Sequence, residues 1–296
     1  MQLGREGKGM TRSTVTDVLR YAAFTSHPDG GNPAGVVLDA AQLDEQHMLA
    51  VAGEVGYSET AFVTSRDEQH RRFTLRYFSP RAEVAFCGHA TVAVSVALAE
   101  RIGPGPLVFD TPAGEIKVET VADGHGAVRA TLTSVPTWSR PAQAAEVDAT
   151  LSALGWEKAD LDPALPPHVA FAGNEHLVLA AGSRGRLTDL DYDFEALAGV
   201  MQVYGWTTVH LVWRERDDHF HARDPFPVGG VVEDPATGAA AAAFGGYLRT
   251  LGLLPPAGVI AIRQGEDMGR PSDLIVEAGP HDARVRVTGH AVPITG

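Results

Sequence analysis

Two segments of the chain are apolar on every side of a helix. No charged residue lies between Thr91 and Ala99, and the stretch from Ala239 to Gly246 is equally bare. A helix that carries apolar residues all round its axis is buried on all sides. The pattern therefore predicts two central helices, each enclosed by other elements of the fold.

The segments around these two helices have the patterns of strands, with one further helix in each half. Strand-like segments cover residues 18–24, 34–38, 60–63, 73–78, 175–180 and 208–213. Helical spacing predicts helices over Leu43–Val55, which is followed by Gly56, and from about Phe194 to Tyr204. The chain is therefore predicted to be an α+β protein in which a sheet wraps around each central helix.

The motifs that open the two central helices belong to a longer internal repeat. Three pairs of segments match at offsets of 142, 147 and 151 residues. The pairs are Gly31-Asn32 with Gly173-Asn174, Phe86–Thr91 with Glu233–Gly238, and Gly114-Glu115 with Gly265-Glu266. A repeat of this length predicts two similar domains, since a solenoid would repeat at a far shorter period.

The predicted domains meet at a segment that is rich in turn residues, between Gly124 and Ala145. We expect an N-terminal half over residues 17–125 and a C-terminal half over residues 146–282. The last segment, residues 283–296, alternates as a strand and could cross back to complete the N-terminal half. Two facing domains leave a cleft, where we expect the active site.

Composition narrows the class of protein. The 296 residues carry a net charge of −13 and no block of Lys and Arg, which argues against nucleic-acid and anionic-membrane partners. The polar segment Met1–Gly9 does not resemble a signal peptide, and no stretch reaches the roughly 20 apolar residues of a spanning helix. A single cysteine excludes an intramolecular disulfide and a cysteine-based zinc cage. We expect a cytoplasmic protein without a metal or other cofactor.

The starts of the two central helices are candidate anion sites, because the first N–H groups of a helix are free and carry partial positive charge. Gly88 and Gly238 stand there, and a substrate carboxylate could bind between them. His89 lies in the first turn and is a candidate substrate ligand, although a single histidine can also be structural. Asp234 is the matching residue of the second motif, and it could contact substrate or serve as a simple N-cap.

Cys87 and Glu59 are the candidates for proton transfer. Cys87 could be a nucleophile or a base, but a two-thiol racemase needs one thiol in each half, and the second motif has none. Packing is therefore the favoured role of Cys87. Glu59 lies between a helix end and an apolar strand, which suits a general acid/base, but a salt-bridged glutamate would have the same pattern.

Five segments together resemble the PhzF family, named for phenazine biosynthesis. They stand in the family's order and span nearly the whole chain: Gly31–Gly35, Ser58–Thr60, Cys87–Thr91, Glu233–Gly238 and Gln264–Ser272. The resemblance implies a diaminopimelate-epimerase-like fold with two pseudo-symmetric domains, a cleft between them, and a homodimer. It also implies a cofactor-free isomerisation that moves a proton between carbons of a conjugated ring.

The same resemblance assigns roles to particular residues. Glu59 would be the acid/base, His89 and Asp234 would bind and orient the substrate, and the helix starts near Gly88 and Gly238 would receive its carboxylate. The phenazine enzymes carry a serine directly after the second motif, where this chain has Ala239. We therefore expect an isomerase of a small carboxylate whose identity stays open. An amino-acid racemase or epimerase and a non-catalytic metabolite-binding protein are the alternatives.

Overall fold

The structure is a computed structural model that describes residues 16–295. The polar segment Met1–Gly9 and residue 296 lie outside the described residues. The strands are β1 (Leu19–Ala23), β2 (Asn32–Val37), β3 (Glu59–Asp67), β4 (Arg72–Phe78), β5 (Glu83–Val84), β6 (Gly105–Thr111), β7 (Gly114–Ala122), β8 (Val128–Thr133), β9 (Trp138–Pro141), β10 (His168–Phe171), β11 (Glu175–Ala180), β12 (Thr208–Arg216), β13 (His219–Pro225), β14 (Glu233–Asp234), β15 (Val259–Gln264), β16 (Ser272–Ala278) and β17 (Val285–Pro293). The α-helices are α1 (Glu45–Val55), α2 (Gly88–Ile102), α3 (Ala144–Leu154), α4 (Arg184–Thr188), α5 (Phe194–Tyr204) and α6 (Gly238–Leu251).

The two halves repeat one order of elements. In the first half, β2 pairs parallel with β3, β3 pairs antiparallel with β4, and β4 pairs parallel with β6. In the second half, β11, β12, β13 and β15 make the same three pairings in the same order. The first residue pair of β2 with β3 is Ala34 opposite Glu59, and the first pair of β11 with β12 is His176 opposite Thr208. The two pairs hold equivalent positions in the repeat.

Helices α2 and α6 lie at the centre of the two halves. Residues 89–99 of α2 and 240–248 of α6 are all buried. Both helices contact strands of their own half, and both also contact β17. Full burial of a valine or leucine side chain contributes about 1.5–3 kcal/mol, which applies to Val92, Val94, Val96 and Leu98 of α2, whereas α6 buries mainly alanines together with Phe244, Tyr247 and Leu248. No helix within residues 16–295 has the length and apolar character to cross a bilayer.

Strand β17 joins the two halves. It pairs antiparallel with β16 of the second half, and with β8 and β1 of the first half. On the other side, β9 pairs with β10 of the second half. The segment between residues 124 and 145 thus contains β8, β9 and the beginning of α3, and strands cross between the halves in both directions. This exchange fixes the positions of the two helix starts relative to each other.

Candidate active site

The two central helices begin without a side-chain cap. Helices α1, α4 and α5 begin after Asp44, Ser183 and Asp193, whose side-chain oxygens accept a hydrogen bond from the first turn. The residues before α2 and α6 are Cys87 and Thr237, and their side chains make no such bond. The first-turn N–H groups of α2 and α6 are therefore available to an anion.

The space in front of α2 is open at Gly88. A Cβ atom placed on Gly88 would have no heavy atom within 4 Å apart from its chain neighbours Cys87 and His89 and the helix's own backbone. The corresponding atom on Gly238 would lie 3.3 Å from the Phe24 ring, so the start of α6 is more tightly enclosed. An anion that reached the two helix starts would therefore have more room beside Gly88.

Glu59, Cys87 and His89 form one compact cluster at the start of α2. Glu59 is the first residue of β3, and its Oε2 lies 3.5 Å from Cys87 Sγ and 3.5 Å from His89 Nε2. The Sγ atom of Cys87 lies 3.3 Å from His89 Nδ1. The side chain of Glu59 keeps 16% of its surface exposed, against 6% for His89, so Glu59 is the member that solvent and substrate can reach.

Burial controls the protonation of two members of this cluster. It raises the pKa of the Cys87 thiol well above its usual value, and the neighbouring charge of Glu59 adds to this effect. It also lowers the pKa of His89, partly opposed by Glu59. At neutral pH the cluster therefore contains a thiol and a neutral imidazole. A thiol in this state is a poor nucleophile, and the packing role of Cys87 stays a prediction.

Asn32 connects this cluster to the second half. Its amide nitrogen lies 2.7 Å from Asp234 Oδ1, 3.1 Å from the Ala236 carbonyl oxygen and 3.1 Å from His89 Nδ1. Asn32 is almost completely buried, so these contacts hold the residues in fixed positions. Glu59, His89 and Asp234 therefore lie in one site, and Asn32, quoted in a motif but given no role from sequence, is the residue that joins them.

Asp234 does not lie at the start of α6, as its match to the first motif implied. It is the last residue of β14, and the helix begins after Thr237, so the structural repeat relates Cys87 to Thr237. The Thr237 hydroxyl donates to Asp234 Oδ2 at 2.6 Å. The side chain of Gln264 fixes this turn, because it donates to the Asp234 carbonyl at 2.7 Å and accepts from the Thr237 N–H at 3.1 Å.

Asp234 differs from an ordinary surface aspartate in its acidity. Burial of its carboxyl group raises its pKa to about 7, although the residue keeps some exposed surface. The charges of Glu59 and Asp224 raise it further, while hydrogen bonds from Thr237 and Asn32 oppose the shift. Near neutral pH, Asp234 can therefore either donate or accept a proton.

The cluster of Glu59, Cys87 and His89 offers three atoms of the kinds that bind zinc, all within 4.8 Å of one another. The amide nitrogen of Asn32 is a donor, which assigns an acceptor role to His89 Nδ1 and places the imidazole proton on Nε2. That proton then faces Glu59 Oε2 and Ser58 Oγ, the latter at 3.3 Å. In this tautomer the lone pair of Nδ1 accepts from Asn32 and Nε2 carries the proton, so His89 has no free lone pair for a metal. The arrangement therefore suits proton transfer better than metal binding.

Comparison with known proteins identifies the family. A family model described as phenazine biosynthesis-like protein (PhzC-PhzF) matches residues 21–296. A protein of Escherichia coli O157:H7 named "Uncharacterized isomerase YddE" is 34% identical, over 93% of this chain and 95% of its own. The trans-2,3-dihydro-3-hydroxyanthranilate isomerase of Pseudomonas chlororaphis is 31% identical, over 91% of this chain and 94% of its own.

Solved structures confirm the predicted fold class. The PhzF-family phenazine biosynthesis protein of Bacillus anthracis matches with a TM-score of 0.83 and 26% identity, over 94% of this chain and 96% of its own. A probable proline racemase from Agrobacterium radiobacter matches with a TM-score of 0.63 and 12% identity, over 93% and 90%. The second match shows the shared epimerase-like fold alone. The chain belongs to the phenazine biosynthesis-like protein family, and it is an isomerase of that family.

Proposed function

We propose that the protein is a cofactor-independent isomerase that moves a proton between carbon atoms of a small carboxylate-bearing metabolite, with Glu59 as the general acid/base. The observation that carries this proposal is the position of Glu59. Its carboxyl group contacts His89 and Cys87 and is the accessible member of their cluster, next to an uncapped helix start. A proton carrier needs this combination of access and hydrogen-bonded support.

The substrate carboxylate would accept hydrogen bonds from the first-turn N–H groups of α2 and α6. Glu59 would then remove a proton from an activated C–H bond, and the electron pair of that bond would delocalise into the adjacent unsaturated system. The same carboxyl group would return the proton to another carbon of that system. Atoms and electrons balance without a co-reactant, since one C–H bond breaks and another forms.

His89 and Asp234 would assist this transfer without carrying the proton. The neutral His89 would donate from Nε2 to the Ser58 hydroxyl at 3.3 Å, and its ring would lie beside Glu59, with Nε2 3.5 Å from Oε2, which limits the positions open to that carboxyl group. Asp234, with a pKa of about 7, can donate a hydrogen bond to a substrate oxygen on which negative charge develops. Preorganised donors of this kind typically contribute about 10²–10³ in rate when they act in an enclosed site.

The relative from Pseudomonas chlororaphis points to the substrate class, because its name gives an unsaturated ring carboxylate as its substrate. We propose an unsaturated carboxylate of similar size for this chain. Ala239 lies in the first turn of α6, where the phenazine enzymes carry a serine by the resemblance described above. The methyl group of Ala239 cannot form a hydrogen bond. The substrate of this chain would therefore lack the polar group that the serine hydroxyl would contact.

Proton exchange in heavy water tests this function. The enzyme would be incubated with a panel of unsaturated and amino-substituted carboxylates, and the products analysed by NMR for deuterium and for bond connectivity. An isomerase gives a product with a moved double bond and deuterium at carbon. Deuterium with unchanged connectivity would indicate a racemase or epimerase, and saturable binding without deuterium would indicate a metabolite-binding protein. Either result would contradict the proposal.

A further inference from the structure

A fully buried polar network lies in the second half, behind Asp234. It consists of His176 on β11, Thr208 and His210 on β12, and Asp224 on β13, and each of the four is at most 1% exposed. His210 also contacts the ring of Phe244 of α6, with centroids 5.5 Å apart. Four polar side chains at the centre of a domain are costly to bury, so their presence calls for a role.

The hydrogen bonds of this network converge on Asp224. Thr208 donates to its Oδ1 at 2.9 Å, and His210 Nδ1 lies 2.9 Å from its Oδ2. His176 Nδ1 lies 2.8 Å from the Thr208 hydroxyl, which accepts because its own proton points to Asp224. The Nε2 atoms of both histidines are buried without a partner, so the network ends at them. The acceptor at the centre of the network is the carboxyl group of Asp224.

Asp224 is the direct neighbour of Asp234 in the sheet. The two are opposite each other in the antiparallel pairing of β13 with β14. Opposed residues of an antiparallel pair point to the same face, with Cβ atoms about 4.5–5.5 Å apart. The structure therefore places a second buried carboxyl group beside the one that faces the catalytic cluster.

The internal repeat shows that this network is particular to the second half. His176 and Thr208 stand where the first half has Ala34 and Glu59. In the next ladder, Leu211–Arg223 is equivalent to Phe62–Arg76, so His210 and Asp224 occupy the positions that Ala61 and Tyr77 have in the first half. At the position of Asp224 the first half has Tyr77, whose hydroxyl contacts Thr91 at 2.8 Å, so the buried carboxyl group and the two histidines belong to the second half.

We propose that Asp224 is a positioning residue for the isomerisation, because its carboxylate beside Asp234 favours the form of Asp234 that donates a hydrogen bond to the substrate. Its catalytic meaning rests on the function proposed above, but the effect on Asp234 does not. Four titratable groups face Asp234 from the surrounding elements. Glu59 lies on β3, Asp224 lies on β13, and Cys87 and His89 lie at the start of α2, where His89 is linked to Asp234 through Asn32.

Like charges at short range oppose each other's ionisation, so Asp224 keeps the proton on Asp234 to a higher pH. Glu59 acts in the same direction from the first half, and this contribution is unaffected by changes at Asp224. Thr208 and His210 lie within hydrogen-bond distance of the Asp224 carboxyl group, at 2.9 Å each, and hold it in position. The network thus fixes a second carboxyl group beside Asp234 without exposing it to substrate.

Carbon NMR of the protein labelled with ¹³C at aspartate carboxyl groups tests this proposal without any turnover. The signal of Asp234 is assigned by its loss in Asp234→Asn, and its titration midpoint is measured in the wild type and in Asp224→Asn. We expect the midpoint to fall by about one pH unit when the neighbouring charge is removed. Glu277→Gln is the matched control, since Glu277 is a half-exposed carboxylate on β16 that pairs with Arg286 at 2.9 Å.

Asp224→Ser is a second neutral variant, with a smaller side chain, in case the asparagine prevents folding. An Asp234 midpoint that is unchanged in a folded neutral variant would overturn the proposal. An equal shift in Glu277→Gln would also overturn it, because the effect would then come from net charge and not from the neighbour in the sheet. Loss of activity with an unshifted midpoint would leave the proposed function standing and remove the role of Asp224.

Discussion

The amide nitrogen of Asn32 lies 2.7 Å from Asp234 Oδ1, although 202 residues separate the two along the chain. The same nitrogen lies 3.1 Å from His89 Nδ1. One buried side chain thus holds a substrate-binding candidate from each half. The geometry of the site depends on this contact, and the residues next to Asn32 in the sequence give no sign of it.

Replacement of Asn32 by alanine should therefore damage catalysis strongly. Misplacement of reacting groups by about 1 Å can reduce the rate 10²-fold, and the acceptors left unpaired should cost about 1–3 kcal/mol of folding free energy. Deuterium incorporation and urea unfolding measure the two effects. Asn174→Ala is the matched control, since the repeat relates Asn174 to Asn32 but leaves it exposed. Equal activity of the Asn32 variant and this control would refute the bridging role.

Glu59→Gln should abolish turnover while it leaves the fold and ligand binding nearly intact. The amide keeps the size of the side chain, but it cannot carry the proton between carbons. General acid/base groups typically contribute about 10²–10⁴-fold, so the variant should retain less than a tenth of the wild-type kcat. Calorimetry with a product or substrate analogue checks that binding survives. A variant with substantial turnover would remove Glu59 from the mechanism.

Cys87→Ser should remain active. Burial raises the pKa of the thiol, so the wild-type side chain acts as a weak hydrogen-bond donor to its neighbours, and a hydroxyl can do the same. Cys87→Ala should also keep activity, at a cost of about 1 kcal/mol in stability from the small cavity. Rates and chemical unfolding of both variants provide the check. Complete inactivation of both, with intact folds, would instead support a thiolate mechanism.

Gly88→Ala should weaken substrate binding without weakening the fold. The added methyl group enters open space in front of α2, where we expect the substrate carboxylate to bind. The apparent KM should rise, while the unfolding midpoint stays the same or increases. Gly53→Ala is the control, because Gly53 lies in α1, also has open space around it, and is distant in sequence from the site motifs. An unchanged KM in Gly88→Ala would place the carboxylate elsewhere.

The folding stability should depend on pH through Asp234. Its pKa rises from 3.8 to about 7 on folding, so the folded state binds more protons than the unfolded state between these values. The contribution is therefore fully present below about pH 4 and is lost as the pH rises towards 7, with a slope of at most about 1.4 kcal/mol per pH unit. Urea unfolding from pH 4 to 8 should show this slope in the wild type and a smaller one in Asp234→Asn. Identical slopes would contradict the assignment.

The sequence predicted those elements whose pattern is local. The helix predicted from Phe194 to Tyr204 occupies that range, and the helix predicted from Leu43 begins two residues later, at Glu45, because Asp44 caps it. The two bare apolar segments are the buried central helices, since a helix without a polar face has no side to present to solvent.

The parts of the site that depend on distant strands could not be predicted in this way. Asp234 was matched to the start of a helix because the motifs align by residue type, whereas the chain makes a two-residue strand there before the helix begins. The neighbour relation of Asp224 and Asp234 comes from the pairing of β13 with β14, and nothing in the sequence around Asp224 marks it. Only the tertiary register brings these residues together.

The pairing of β17 also has a consequence for how the molecule is made. The strand that lies beside β1 and β8 is the last one in the described chain, so the first half keeps open hydrogen-bonding edges until residues near 290 have left the ribosome. Contacts between such distant segments close late and slowly. The nascent first half therefore keeps unpaired strand edges until β17 emerges, and such edges are where partly folded chains aggregate.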